Sequence, residues 1–119
     1  MEWKIDKNRP ISPQICEHIC LLIARGVYEP FDRLPSVREI AVAAGVNPNT
    51  VQHSCQTLEQ QGIIYSVRGS GWFVSEDNTL ARDTLNQILR DKTAAYFEEM
   101  AALGQTPEDT KKFVEEWMV

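Results

Sequence analysis

The chain has 119 residues, of which 43% are hydrophobic, and its formal net charge is −5. This length suits one domain, or a small domain with an appendage, and the apolar content is enough for one packed core. No apolar run approaches the ~18 residues that span a membrane, and the N-terminus lacks the pattern of a secretory signal. The three cysteines do not have metal-ligand spacing, which favours a reducing cytoplasm and no structural metal.

The acidic charge is confined to the C-terminal third of the chain. Residues 1–75 carry seven basic and seven acidic side chains, whereas residues 76–119 carry five basic and ten acidic ones. A neutral segment can still bind DNA when its basic groups face one way. The polar stretch Glu76–Thr79 separates the two parts, so we expect a DNA-binding domain over residues 1–75 and a helical arm over residues 76–119.

The beginning of the chain predicts a short strand and then a scaffold helix. The strand is expected at Trp3–Asp6. Ser12 and Pro13 are typical of a helix N-cap and the first helical position. The apolar residues that follow recur at three- and four-residue spacing, which predicts one broad buried face. They are Ile15, Cys16, Ile19, Cys20, Leu22 and Ile23.

Two short helical patterns joined at Gly45 predict a helix-turn-helix. Ser36 and Glu39 form an S-x-x-E capping box before a run of small apolar residues, and Gly45 ends that helix. Asn47 and Pro48 then supply a cap and a first-turn proline for the next helix.

The second of these helices has an apolar side and a polar side. Val51, Cys55 and Leu58 recur at i, i+4 and i+7, so they are expected to face inward. The outer side carries short polar groups of the kind that reach base edges in a major groove. They are Asn47, Asn49, Thr50, Gln52 and His53.

A glycine-flanked hairpin follows the helix-turn-helix. Ile63–Val67 and Trp72–Ser75 predict two strands, and Gly69 and Gly71 on either side of Ser70 predict a tight turn. The whole pattern predicts a mainly α-helical fold with a small β-wing, that is, a winged helix-turn-helix followed by a helical arm.

Contacts to DNA phosphates must come from outside the recognition helix, because no Lys or Arg lies between Arg38 and Arg68. We expect Arg38 to cross the DNA backbone and Arg68 to act at the wing tip. Arg33 is a further candidate, although Arg33 and Arg38 could instead be solvated surface charges. Four neighbouring residues complete the predicted DNA-binding set: Ser36, Pro48, Gly69 and Ser70.

Residues 10–75 resemble the GntR family of bacterial transcription regulators. The resemblance rests on Pro13-Gln-Ile15, Leu34-Pro-Ser-Val-Arg38, the stretch from Val46 to Val51, the stretch from Leu58 to Ile63, and the Arg68-Gly-Ser-Gly71 wing. It implies a homodimer on a palindromic operator, usually a repressor released by a small effector, and it implies DNA contacts for Arg38, Arg68 and the recognition helix.

Three positions depart from the family pattern. Many members have an arginine where this chain has Pro48, and some have another at Gln52. The glycine that commonly precedes the LPS motif is here Phe31. The charged base contacts of other members are therefore missing, and a leaning toward A·T pairs is expected from the amides.

The C-terminal part predicts a long helix to about Leu103 and a second helix that begins at Thr106 with Pro107. This short tail resembles that of the YtrA-type subfamily, which implies a two-helix dimerisation arm. Its expected contact residues are Leu85, Leu89, Tyr96, Met100, Phe113 and Trp117. The same aromatic residues could alternatively line a pocket for an unidentified small-molecule effector.

Other functions have weaker support in the sequence. The cysteines could form a redox or metal switch with His18 or His53, but small core hydrophobes are the favoured interpretation. Enzymatic activity is not expected, since neither histidine has a nearby nucleophile or carboxylate pair, and no cofactor is implied. The alternative function is a winged-helix adaptor that binds protein rather than specific DNA.

Overall fold

The computed structural model describes residues 2–119, which form five helices and one two-stranded sheet. The elements are α1 (Ile11–Ala24), α2 (Val37–Ala44), α3 (Pro48–Gln60), β1 (Ile64–Val67), β2 (Gly71–Val74), α4 (Thr79–Ala102) and α5 (Pro107–Trp117). The predicted mainly α-helical winged fold is confirmed. Within residues 2–119, no helix combines the length and apolarity that crossing a bilayer requires.

The chain divides into two compact units, one ending at Leu85 and the other comprising Asn86–Val119. The division falls inside α4 because the first turns of that helix belong to the N-terminal core. Ala81 is buried in this core and Leu80 packs against it. The predicted roles of the two parts stay predictions.

The core of the first unit is built where α1 and α3 pack against each other. Ile15 and Ile19 of α1 lie in one buried cluster with Val51, Cys55 and Leu58 of α3, as their spacing predicts. Each fully buried aliphatic side chain of this kind contributes roughly 1.5–3 kcal/mol by leaving water. This packing fixes which side of α3 faces solvent.

The start of α1 differs from the prediction. The helix begins at Ile11 with Pro10 in the N-cap position and without a side-chain capping bond, so Ser12 is not the cap. Its hydroxyl is instead 2.8 Å from the Ser54 hydroxyl of α3. The Gln14 side chain donates to the Pro10 carbonyl, which ties this helix end to the residues before it.

The predicted strand at Trp3–Asp6 is wrong. These residues do not belong to a sheet, since the sheet found within residues 2–119 consists of β1 and β2 alone. A side chain takes the place of a partner strand: Gln14 accepts from the Asp6 N–H through Oε1 and donates to the Asp6 carbonyl, both at 2.8 Å. Trp3 packs on the ring of His18, with 4.2 Å between the ring centroids.

The helix-turn-helix follows its local sequence signals closely. Both hydrogen bonds of the Ser36–Glu39 capping box are present at the start of α2. Gly45 ends that helix in the left-handed conformation, with φ +68°. Asn47 caps α3, and Pro48 occupies its first turn.

The wing contains more pairing than the hairpin alone. β1 and β2 pair antiparallel with Ile64 opposite Val74 and Val67 opposite Gly71, close to the predicted strands. The stretch from Phe31 to Leu34 also pairs with β2. The Phe31 N–H donates to the Val74 carbonyl (2.8 Å), and the Leu34 N–H donates to the Trp72 carbonyl (2.9 Å).

The second unit has the two predicted helical segments. α4 runs to Ala102, and α5 begins after a second capping box, formed by Thr106 and Asp109. The buried Thr110 hydroxyl donates to the Thr106 carbonyl at 2.9 Å. The predicted restart of a helix at Thr106 is confirmed.

Phe31 has φ +69°, a left-handed conformation that is costly for a side chain with a Cβ. We expect Phe31→Gly to raise the free energy of unfolding by about 0.5–1 kcal/mol, because the relief of roughly 1–2 kcal/mol of left-handed strain exceeds the entropy that glycine adds to the unfolded chain, and the ring is exposed. Urea denaturation measures this, with Phe31→Ala as the control that keeps the strain. A glycine variant less stable than the alanine variant would contradict the prediction.

Candidate nucleic-acid interface

The exposed side of α3 carries amide and imidazole groups. Asn49, Gln52, His53 and Gln56 are all exposed, whereas the opposite side of the helix is buried in the core. The side chains of these four residues make no hydrogen bond to any other group within residues 2–119. A face of free amides can pair with the edges of bases, adenine in particular.

Some polar groups in the first turn of α3 already make hydrogen bonds within the helix. The Asn47 Oδ1 atom accepts the Asn49 N–H at 2.8 Å, so part of the bonding capacity of the Asn47 amide is already used within the helix. Pro48 is exposed beside it, and Thr50 is half-buried. Base contacts from this turn therefore depend more on Asn49 than on Asn47.

Arg38 is exposed on α2 and borders a shallow cleft of about 420 Å³. The remaining lining residues are Ala41, Val42, Gly45, Val46 and Pro48. The cleft thus lies between α2 and the start of α3, with an apolar floor and a cationic edge. Ser36, also in the predicted set, is the N-cap of α2, where its hydroxyl accepts the Glu39 N–H.

The tip of the wing presents Arg68, Gly69 and Ser70 to solvent. The Ser70 N–H donates to the Val67 carbonyl at 2.9 Å, and Gly69 adopts φ +80° to close the turn. No carboxylate within residues 2–119 pairs with Arg68 or Arg38. Both guanidinium groups are therefore available to an anion outside the chain.

Arg33 fixes the wing from its base. Its Nε donates to the Ser70 carbonyl at 2.9 Å, and Arg33 forms a β-bridge with Phe73. A Cβ on Gly71 would lie 3.5 Å from the Arg33 Nε, so the side chain lies against the hairpin turn. The geometry favours a positioning role for Arg33 in addition to any contact with phosphate.

Sequence reasoning missed the role of Glu59 at the far end of α3. Its Oε2 atom accepts the Ser66 N–H (3.1 Å) and the Ser66 hydroxyl (2.8 Å). This pair of bonds joins the recognition helix to β1. No local pattern signals such a contact, although an acidic residue alone on an otherwise uncharged helix is a feature that could have raised the question.

The three cysteines are core residues rather than reactive thiols. Cys20 and Cys55 are buried, and burial raises the pKa of each thiol to about 12. Burial also raises the pKa of Cys16, whose thiol lies 3.5 Å from the Ser54 carbonyl. Protonated thiols are poor nucleophiles and poor metal ligands, which supports the packing interpretation. Among residues 2–119, no cluster of three or more His, Cys, Asp or Glu side chains has an arrangement that could hold a metal ion.

The second unit exposes many of the apolar residues predicted for dimerisation. Leu89, Tyr96, Phe113 and Trp117 are exposed, whereas Met100 is half-buried. A cleft of about 380 Å³ is lined by Tyr96, Phe113, Val114 and Trp117. The sixth predicted contact, Leu85, is half-buried in the first unit.

A helix-turn-helix with a tethered wing and an exposed amide face defines a winged-helix DNA-binding protein. Residues 11–74 match the family described as bacterial regulatory proteins of the gntR family. The chain belongs to this GntR family of DNA-binding transcription regulators, and it is not an enzyme. Its relatives support membership of the YtrA-like subfamily.

Two curated relatives match most of the chain. The HTH-type transcriptional regulator YhcF of Bacillus subtilis (strain 168) is 33% identical over 109 residues, which are 92% of this chain and 90% of YhcF. The HTH-type transcriptional repressor YtrA of the same organism is 37% identical over 93 residues, which cover 71% of this chain and 72% of YtrA.

Solved structures share the fold. A GntR family transcriptional regulator from Listeria monocytogenes has a TM-score of 0.79 at 38% identity, covering 94% of this chain and 98% of that one. The DNA-binding domain of AraR in complex with operator ORX1 has a TM-score of 0.57 at 27% identity, covering 63% of this chain and 99% of that one.

The capping box of α2 predicts a loss of stability in acid. The Ser36 N–H donates to Glu39, and this backbone hydrogen bond holds the pKa of Glu39 below its ordinary value of 4.5. The folded state therefore gains stability that is complete above pH 4.5 and is lost as pH falls through the lowered value. We measure the urea concentration at which half of the protein is unfolded, at pH 7 and at pH 3. This midpoint should fall less between the two pH values for Glu39→Gln than for the wild type.

The glutamine variant is a suitable comparison because its amide can still close a capping box without titrating. The Ser36→Ala variant, which lacks the hydroxyl acceptor, serves as the control for loss of the cap itself. An acid-induced drop of equal size in Glu39→Gln and in the wild type would show that this carboxylate is not responsible.

Proposed function

We propose that this protein is a homodimeric transcriptional repressor that binds a palindromic operator in the cytoplasm. The observation that carries the proposal is the exposed amide face of α3, which follows the exposed Arg38 of α2 and precedes the exposed Arg68 of the wing in the chain. Within residues 2–119, no carboxylate pairs with either guanidinium group. Asn49 and Gln52 would read base edges, assisted by Asn47, Thr50 and His53. The relative YtrA is named a repressor, which supports this sign of regulation.

Arg38 and Arg68 would contribute affinity more than sequence preference. Guanidinium groups bind phosphate oxygens without regard to the base, and a wing arginine can also enter a minor groove. Together with Ser36, Gly69 and Ser70, they would dock the domain so that α3 enters the major groove. In a dimer, two such helices would enter successive major grooves about one helical turn apart.

The proposed arm over residues 76–119 would bind the same arm of a second copy and so form the dimer contact. The exposed fraction is 49% for Phe113 and 86% for Trp117, and apolar side chains on two helices without cover favour association. The proposed arm over residues 76–119 includes Leu85, Leu89, Tyr96 and Met100 in this contact. A small-molecule effector stays a prediction based on the family resemblance.

The base-reading role can be separated from the docking role. A DNA duplex selected from a random pool by the purified protein supplies the operator for binding measurements. Gln52→Ala is expected to relax preference at one operator position by roughly 1–3 kcal/mol, because one amide pairing is lost. Arg68→Ala is expected to weaken binding to all sequences with little change in preference.

Gln60→Ala is the matched control, since Gln60 is an exposed amide at the other end of the same helix. It should leave affinity and preference unchanged. If no duplex is enriched, or if binding does not weaken as salt rises, the alternative of a protein-binding adaptor gains support.

The proposed dimer contact can be tested by placing negative charges on the exposed apolar side of α5. We expect Phe113→Glu with Trp117→Glu to yield a monomer in light scattering, because buried carboxylates in an apolar contact are costly. Operator affinity should fall by about 10²-fold or more as bivalent binding is lost. Lys111→Glu, on the same helix, is the charge-matched control. A double variant that stays dimeric would refute this placement of the contact.

A further inference from the structure

Lys7 lies at the turn that leads into the recognition helix. Its Nζ donates to the Gly45 carbonyl at 2.6 Å, across 38 positions of sequence. Gly45 ends α2, and Asn47, two residues later, caps α3. A cation therefore stands beside the first turn of a helix that itself carries no basic residue.

The backbone around Lys7 is held in place on both sides. Gln14, which is 8% exposed, makes two hydrogen bonds with the backbone of Asp6. The Asp6 carboxylate accepts from the Asn8 N–H at 2.9 Å and from the Arg9 Nε at 3.1 Å. The side chain of Lys7 is thus presented from an ordered segment and not from a loose terminus.

The ammonium group has bonding capacity left after this contact. It carries three N–H donors, and the Gly45 carbonyl uses one of them. No carboxylate within residues 2–119 forms an ion pair with Lys7, and its side chain is exposed. An anion from outside the chain would meet two free donors and an uncompensated charge.

The neighbouring surface suits a sugar-phosphate strand. Gly45 lines the cleft of about 420 Å³ that Arg38 also borders, and the apolar residues of its lining include Val46 and Val42, which is 83% exposed. An apolar floor next to cations matches the apolar face of deoxyribose and the charge of phosphate. In a helix-turn-helix, the turn before the recognition helix lies near the duplex, because the first residues of that helix reach the bases.

We propose that Lys7 is a phosphate-contacting residue of the operator complex, and that the cleft between Arg38 and the α2–α3 turn seats one sugar-phosphate strand. This inference rests on the proposed docking of α3 in the major groove. It adds to Arg38 a second basic group beside the α2–α3 turn, one that the sequence analysis does not include among the DNA-binding residues. Lys7 also holds the turn, so its role is both contact and positioning.

The experiment measures operator binding of the full chain as a function of salt, using the duplex selected from a random pool. Each phosphate contact adds about 0.9 to the slope of log K against log salt. With one lysine per protomer, Lys7→Gln should make the slope of a dimer shallower by about 2 and lower affinity at least tenfold at low salt. Glutamine removes the charge and keeps a neutral N–H donor, although its side chain is one atom shorter than that of lysine.

Two further variants make the result specific. Lys7→Arg should retain the slope, since charge and donors are kept. Lys4→Gln removes an exposed lysine from the same segment and should change the slope by less than half as much. Thermal denaturation of each variant shows whether the fold is intact.

A Lys7→Gln variant that keeps the wild-type slope would overturn the inference, whatever its affinity. If Gln52→Ala and Arg68→Ala behave as proposed in the same assay, only the inference about Lys7 fails. If the wild type shows no salt-dependent binding to any selected duplex, the proposed function fails together with the inference about Lys7. The behaviour of the wild type therefore distinguishes the two failures.

Discussion

The packing of α3 against α1 is the constraint on which the rest of the structure depends. Val51, Cys55 and Leu58 are fully buried, so any rotation of α3 about its axis would bring apolar surface into water. Ser54 adds directional contacts, because its hydroxyl lies within hydrogen-bond distance of the Thr50 carbonyl in the same helix (2.9 Å) and of the Ser12 carbonyl of α1 (3.1 Å), and its single proton is shared between these two acceptors. The exposed amide side of α3 is therefore a consequence of the core.

Where the sequence predicts well, the signals are local. Ser36 with Glu39, Gly45, and Asn47 with Pro48 each act within one helical turn, and all of these caps are present. The two failed predictions, the Ser12 cap and the strand at Trp3–Asp6, fail because distant residues bond to these groups. Ser12 bonds to Ser54, and the residues before α1 bond to Gln14 instead of to a strand.

The residues of the candidate interface also divide into those that local sequence predicts and those that depend on distant contacts. The spacing of apolar residues in α3 is enough to identify its exposed polar side, but nothing in a local pattern indicates that Arg33 reaches the Ser70 carbonyl or that Glu59 reaches Ser66. Phe31 is an instructive intermediate case. The sequence shows only that Phe31 stands where other family members commonly have glycine, and the φ of +69° in the structure gives the physical reason for that preference.

The placement of cations matters more for DNA binding than their number in this chain. A segment with equal numbers of basic and acidic groups can attract DNA only if the basic groups are held on one side. Hydrogen bonds to backbone carbonyls hold the side chains of Arg33 and Lys7 in place before any DNA arrives. A side chain that is already ordered avoids about 0.5–1.5 kcal/mol of entropy loss on binding. In the proposed complex, a small number of fixed cations could therefore replace the charged recognition helix of other family members.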